Sequence, residues 1–220
     1  MRISKYIHSC LLVEKEGTRI LFDPGRFTFA EGGVSPEDFR DLSAVVITHQ
    51  HLDHVDDASL KRIVNHNPGV RVLTNSAVRA RLAESGIDAE VFEEGSRRVA
   101  SVELKAIPAT HEKILNAAIP QNTAFVLDDT LLHPGDSFNA SLDVCRGISV
   151  LALPVMAPWT TELQVAEFAV RLSPRQIIPI HDGYAKDFFL DSRYENFGKY
   201  FSSQGIEFVP LKKPGDSVEV

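Results

Sequence analysis

The sequence predicts an α/β protein folded as a four-layered αββα sandwich, two sheets face to face with helices outside both. Three observations lead there. Short apolar runs rich in Val, Ile and Leu recur along the chain, and from residue 57 onward several alternate with segments of helical spacing. The two halves share one layout, strands early and helices after, although no residue-level repeat links them. Several apolar runs are followed at once by a histidine or an aspartate, which places polar chemistry at strand ends.

Each element follows from local pattern. Residues 3–7 and 10–14 have strand composition, Glu16-Gly17 turns the chain, and 19–22 returns as the hairpin partner. Asp23-Pro24-Gly25 stops that strand. Residues 44–47, Ala-Val-Val-Ile, read as a short buried strand. Asp56 and Asp57 are placed to cap a helix that carries Leu60, Ile63 and Val64 and ends at Asn67-Pro68-Gly69. A strand over 70–73 and a helix over 76–85 follow, the helix holding Val78 and Leu82 and closing before Gly86. From Val99 the period falls to two, through Val102, Leu104 and Ala106, which means strand. Residues 123–127 and 131–133 flank Asp128-Asp129-Thr130 as another hairpin. The run 148–153 is a strand, and 161–172 an amphipathic helix with Leu163, Ala166, Phe168, Ala169 and Leu172 broadly on one side. Then come a strand over 177–180, a helix over 194–203 presenting Phe197, Tyr200 and Phe201, and a closing strand over 206–209. The segments holding Phe27, Phe29, Trp159, Phe188 and Phe189 read as irregular, fit to wall a pocket or to lie on the core.

At 220 residues, 44% hydrophobic and 24% charged, the chain has material for one sizeable core, and no linker or low-complexity stretch divides it. A formal net charge of −7 disfavours nonspecific binding to nucleic acid or an anionic membrane. Cys10 and Cys145 are too few for a disulfide framework and match no zinc motif, so both read as reduced, buried, apolar side chains. The first apolar run reaches only Val13 before Glu14 and Lys15, too short for a secretion signal or a membrane span, and a cytoplasmic location is the default expectation.

The run Thr48-His49-Gln50-His51-Leu52-Asp53-His54 sets three imidazoles and a carboxylate directly after the 44–47 strand. Core packing gives no reason for that density, whereas neutral imidazole and carboxylate are the ligands that suit Zn, Mn, Fe or Ni. Asp23, His111, Asp136 and His181 each follow another short apolar run. Only a fold that gathers strand ends would unite these pieces, and together they suffice for two ions.

The run His49-x-His51-x-Asp53-His54, followed in order by His111, by Asp136 in Gly135-Asp136-Ser137 and by His181, resembles the metallo-β-lactamase superfamily. Asp23 in Leu21-Phe22-Asp23-Pro24-Gly25 is similar to that superfamily's first motif. His8-Ser9-Cys10-Leu11-Leu12, Ile180-His181-Asp182-Gly183 and the short length resemble its compact branch of ascorbate-6-phosphate lactonase-like metal-dependent hydrolases. The resemblance spans nearly the whole chain and implies one metallo-β-lactamase-like domain over 1–220. It implies His49, His51 and His111 at one divalent ion and Asp53, His54 and His181 at a second, with Asp136 bridging and Asp23 orienting the histidine loop from outside. One or two ions are implied, zinc first, with Mn, Ni or Fe also compatible. The implied activity is that of a metal-dependent hydrolase using metal-bound hydroxide on a small-molecule lactone, ester or phosphodiester, with Asp53 and Asp136 taking catalytic as well as ligating parts. Diiron members that reduce oxygen carry a glutamate where this chain has His51, which disfavours redox chemistry. Members with a cysteine ligand do not match Cys10 or Cys145, and nothing as large as the arm of RNA-processing members fits between His111 and His181.

His8 has two readings: a hydrogen-bonded core histidine of the first strand, or a catalytic group that binds substrate or donates a proton near the metals. His66 and His133 belong to no motif and read as structural or exposed. Asp182, Tyr184 and Lys186 follow the last ligand-type residue, where substrate contact and plain loop composition explain them equally well. The expected partner is a small-molecule substrate, with no clear nucleic-acid surface, no membrane, and a homo-oligomer left open. Two other functions are compatible with the motifs. A nucleotide phosphodiesterase or nuclease calls for basic residues near the cleft; a non-catalytic metal-dependent binding or sensor protein calls for a closed coordination shell.

Overall fold

A computed structural model describes residues 1–220, whose strands sort into two mixed sheets of seven. The first sheet takes β1 (Arg2–Lys5), β2 (Leu11–Lys15), β3 (Thr18–Phe22), β4 (Ala44–Val46), β5 (Arg71–Thr74) and β6 (Glu90–Val91). The second takes β7 (Gly95–Val99), β8 (Val102–Pro108), β9 (Thr123–Leu127), β10 (Leu131–His133), β11 (Val150–Pro154), β12 (Gln176–Ile180) and β13 (Glu207–Phe208). The C-terminal β14 (Asp216–Glu219) returns to pair with β1, Ile3 opposite Val218. Each sheet lays antiparallel ladders on one side and parallel ones on the other, the change falling at β3 in the first and at β10 in the second. That shared plan is the repeated layout visible in the sequence.

The helices are α1 (Arg26–Ala30), α2 (Asp57–His66), α3 (Ser76–Glu84), α4 (Glu162–Leu172) and α5 (Asp187–Ser203). Period-two alternation distributes the apolar side chains over three layers of core. From β2 and β3, Leu11, Val13, Ile20 and Phe22 meet Leu104, Phe125, Val150 and Ile178 between the sheets. Leu12 and Leu21 point the other way, toward Leu60, Ile63, Val78 and Leu82 of α2 and α3. Leu151, Leu153 and Ile177 cover α4 and α5 through Val165, Phe168, Leu172, Phe197 and Phe201. Strands covered on both faces carry apolar residues without a break, which is why their runs read so plainly. The result is the αββα sandwich.

Some details differ from expectation. Of the two aspartates expected to cap α2, Asp56 does so, its carboxylate accepting the Ser59 N–H at 3.0 Å, while Asp57 lies inside the helix and pairs with Arg81 at 2.6 Å. Leu163 is 67% exposed because it shares its side of α4 with Glu167 and Val170; Val165 takes the core position. Tyr200 likewise faces water, unlike Phe197 and Phe201. Helix α5 starts at Asp187 rather than 194, its first turn carrying the exposed Phe188 and Phe189, which give no amphipathic signal. Residues 26–30 form a short helix, and the edge strands β6 and β14 are too short and polar to stand out. No helix is long and apolar enough to cross a membrane.

Chain direction decides where polar loops gather. Strands β3 and β4 run parallel, and β1 points the same way because β2 reverses between it and β3. In the second sheet β8, β10 and β12 share one direction, with β9 reversed. The ends of β3, β4, β8, β10 and β12, and the turn after β1, therefore meet along one rim. There the sheets are tied together by the Thr123 N–H, which donates to the Thr48 carbonyl at 3.0 Å, and by an isolated bridge between His49 and Asn122.

Candidate metal centre

Four imidazoles turn Nε2 toward one carboxylate. His54 Nε2 lies 3.1 Å from Asp136 Oδ1, while His181, His111 and His49 present Nε2 to Asp136 Oδ2 at 3.1, 3.4 and 3.9 Å. His51 joins through Nδ1, 3.2 Å from His49 Nε2. Asp53 Oδ2 sits 3.6 Å from His181 Nε2 and 4.0 Å from His54 Nε2. Two sets result, His49, His51, His111 with Asp136, and His8, Asp53, His54 with His181; within each set the ligand-type atoms lie within 4.8 Å of one another. All seven ligand-type residues read from the sequence are brought together.

Outer partners decide which ring nitrogen faces inward. The His54 Nδ1–H donates to Asp23 Oδ2 at 2.7 Å, and the Thr48 hydroxyl and N–H donate to the same carboxylate at 2.7 and 2.8 Å. Because Thr48 Oγ1 has given its proton to Asp23, it accepts from His49 Nδ1 at 3.1 Å. The His111 Nδ1–H donates to the Glu112 carbonyl and the His181 Nδ1–H to the Met156 carbonyl, both at 2.5 Å. Each of these rings thus commits Nδ1 to its outer partner and turns Nε2 to the centre. Asp23 is fully buried, and it holds a left-handed φ of +43°. His8 and His181 do the same at +66° and +62°, so three non-glycine residues carry this strained backbone at one rim.

The donor set fits a divalent cation. His54 Nε2, His111 Nε2 and Asp136 Oδ1 are buried and make no hydrogen bond, despite lying beside one another. A buried polar atom without a partner is expensive, and three pooled at one point ask for something that accepts lone pairs. Imidazole nitrogen and carboxylate oxygen are what zinc and its neighbours take.

Charge follows the same geometry. Burial, reinforced by His54, holds His49 well below the ordinary imidazole range, and burial with His111 lowers His51. His54 is raised: burial opposes, but the carboxylates of Asp136 and Asp23 outweigh it. His181 is raised against burial by Asp136. Asp136 in turn is held well below the carboxylate range by His181 and His54, again against burial. Metal-free protein therefore keeps protons on His54 and His181 at pH values where free imidazole has shed them. A cation must displace those protons, so uptake releases them and tightens as pH rises through and above the ordinary imidazole range. Calorimetry in buffers of different ionisation enthalpy should register proton release, and weaker binding near about pH 6 than near about pH 8.

His8 is fully buried, and its environment settles its tautomer. The Gly183 N–H donates to Nδ1 at 3.1 Å, which leaves the ring proton on Nε2, where it is given to Asp53 Oδ2 at 3.1 Å. Burial and the neighbouring His181 push its pKa down to about 4 against the pull of Asp53, so the ring is neutral at pH 7. A ring with both nitrogens so engaged orients Asp53 and has no lone pair for a metal. His133, also buried, accepts the Gly135 N–H and donates to the Ser9 carbonyl, steadying the loop before Asp136.

Further residues around the ligand set support it. Asn122 donates to the Ala109 and Pro134 carbonyls at 3.0 and 3.1 Å and accepts the Asp136 N–H, sewing the His111 and Asp136 loops together. Asn75 caps α3 and donates to the Thr48 carbonyl at 2.9 Å. Lys5 is buried in an ion pair with Asp182, the residue after His181, and the Tyr194 hydroxyl donates to the same carboxylate. Trp159 donates from Nε1 to Asp136 Oδ2 at 3.0 Å. Gly25 is required by closeness rather than by turning, since a Cβ there would stand 1.9 Å from the Asp53 carbonyl oxygen. Gly135 combines a φ of +59° with a would-be Cβ 2.1 Å from Asn122 Oδ1.

A sandwich of two mixed sheets with a histidine–aspartate centre on its rim defines the metallo-β-lactamase superfamily, and this chain belongs to it: residues 2–181 match the family model described as the beta-lactamase superfamily domain. The chain is 31% identical over 218 residues to the Mycobacterium tuberculosis protein Rv0786c, covering 96% of each. It is 27% identical over 187 residues to a UPF0173 metal-dependent hydrolase of Pyrococcus horikoshii, covering 79% of this chain and 81% of that one. Among solved structures, Igni18, a metallo hydrolase of Ignicoccus hospitalis, superposes with a TM-score of 0.74 over 99% of this chain and 97% of its own; at 21% identity that likeness concerns the fold.

Proposed function

We propose that the protein is a metal-dependent hydrolase in which His49, His51 and His111 hold one divalent ion, Asp53, His54 and His181 a second, and Asp136 is shared. The observation that carries this reading is the convergence of four Nε2 atoms on Asp136, with two of them and one Asp136 oxygen lacking any hydrogen bond. The likeness to the Pyrococcus metal-dependent hydrolase points the same way. Zinc is the first choice of ion for such a set. When bound, the ions supply Lewis acidity and a water of lowered pKa.

The chain's own work is positional. Asp53 and Asp136 bring negative charge to offset two cations, and His8 fixes the turn of Asp53 through Nε2. Asp23 and the Glu112 and Met156 carbonyls hold the ring tautomers. Trp159 and Tyr184 flank His181 with ring centres 5.9 and 5.5 Å away, walls that suit a compact, partly apolar substrate. We assign a small-molecule lactone, ester or phosphodiester on that basis.

Elemental analysis of protein purified without added metal, followed by a lactone, thioester and phosphodiester panel run with the ion found, tests the reading. Turnover should vanish on chelation and return with the ion. Fully loaded protein that hydrolyses no member of the panel would point instead to a binding or sensor protein.

A further inference from the structure

We infer that Tyr184 is a substrate-binding residue whose phenol hydroxyl donates a hydrogen bond to the oxygen of the group being cleaved, an inference that rests on the hydrolase reading above. Tyr184 lies on the loop after β12, three residues beyond His181, and is 49% exposed. Its ring leans on His8, Phe27 and His181, with centres 5.2, 5.2 and 5.5 Å away. A tyrosine this exposed has water available as a partner. Its hydroxyl instead reaches into the centre and donates to Asp53 Oδ2 at 2.7 Å.

That oxygen is oversubscribed. His8 Nε2–H already donates to it at 3.1 Å, and it is the Asp53 oxygen 3.6 Å from His181 Nε2 and 4.0 Å from His54 Nε2, hence the one a cation held by those rings would engage. A carboxylate offers about two lone pairs on each oxygen. Three claimants, His8, Tyr184 and the cation, therefore compete for two places.

His8 cannot yield, being fully buried with its other nitrogen fixed by the Gly183 N–H. Tyr184 can, because its ring borders solvent and its loop enters no regular element until Asp187. Displaced from Asp53, the hydroxyl stays at the mouth of the centre, since Phe27 and His181 still hold the ring. The acceptor that arrives there is the carbonyl or phosphoryl oxygen of the substrate. A donor placed where negative charge develops contributes more as the bond is broken than before it.

Tyr184→Phe keeps the ring and removes only the hydroxyl. The variant should retain the ion content of the parent, bind inorganic phosphate about tenfold more weakly by calorimetry in the loaded state, and lose about 10²-fold in kcat/KM, mostly in kcat, on whichever panel member is cleaved. Unchanged phosphate affinity together with unchanged kcat/KM would overturn the inference. So would loss of bound ion, which would make Tyr184 a support for Asp53 alone. The phosphate measurement needs no turnover, so a parent protein that cleaves nothing defeats the hydrolase reading without deciding whether Tyr184 meets a bound oxyanion.

Discussion

If the centre holds two ions as proposed, Asp136→Ala is expected to lose both together rather than one. Its carboxylate is approached by rings from both sets, with His54 on Oδ1 and His181, His111 and His49 on Oδ2. Removing a partner outside the coordination shell of a typical site lowers metal affinity or activity by about 10–100-fold. A shared ligand should exceed that for each ion and take hydrolysis to background. The fold should survive, since the framework of the loop rests on Asn122, Gly135 and His133 and on main-chain bonds. Elemental analysis and a melting curve on the same sample check the two halves of this statement. Retention of either ion at parental stoichiometry would show that Asp136 is not shared.

Lys5→Met is expected to cost stability first and ion affinity second. Lys5 Nζ is buried against Asp182 and lies 3.3 Å from both the Tyr194 hydroxyl and the Leu211 carbonyl. Methionine preserves much of the volume and leaves the Asp182 carboxylate buried with Tyr194 alone. Breaking a buried pair by removing one partner costs about 3–5 kcal/mol, visible as a lower urea midpoint at unchanged slope. Asp182 is the residue next to His181, so with its carboxylate unpaired the ion at His181 should bind about 10–100-fold more weakly. Combining Lys5→Met with Asp182→Leu removes both charges and should recover most of the stability without restoring ion affinity. A single variant as stable as the parent would show the pair to be idle.

The strands and the histidine cluster were legible because each is a local signal. An unbroken run such as 148–153 has few alternatives to a buried strand, and three imidazoles within six residues have no packing explanation. The polar network behind the cluster left no comparable mark. Lys5 and Asp182 are 177 residues apart, and one lysine in an apolar strand looks like any edge residue until the partner is placed beside it. Asn122 is silent for the same reason, its two acceptors lying on separate loops. Gly25 showed a turn in the sequence, whereas its reason is the Asp53 backbone lying against it. At Leu163 and the start of α5 apolar side chains face water, which spacing cannot distinguish from core.

The tie between Thr48 and Thr123 has a thermodynamic side. The rim where the sheets meet is also where the proposed ligands converge, and those ligands are drawn from both halves of the chain, from residue 49 to residue 181. Neither half alone can offer a complete set. An ion seated there acts as a removable cross-link, one that only the folded chain can hold. Such a ligand adds RT ln(1 + [M]/Kd) to stability, about 4 kcal/mol when free ion exceeds Kd a thousandfold. Ion supply would then shift the unfolding midpoint as well as set the fraction of molecules that turn over, and the same seam would be the first place to loosen when the ion is withdrawn.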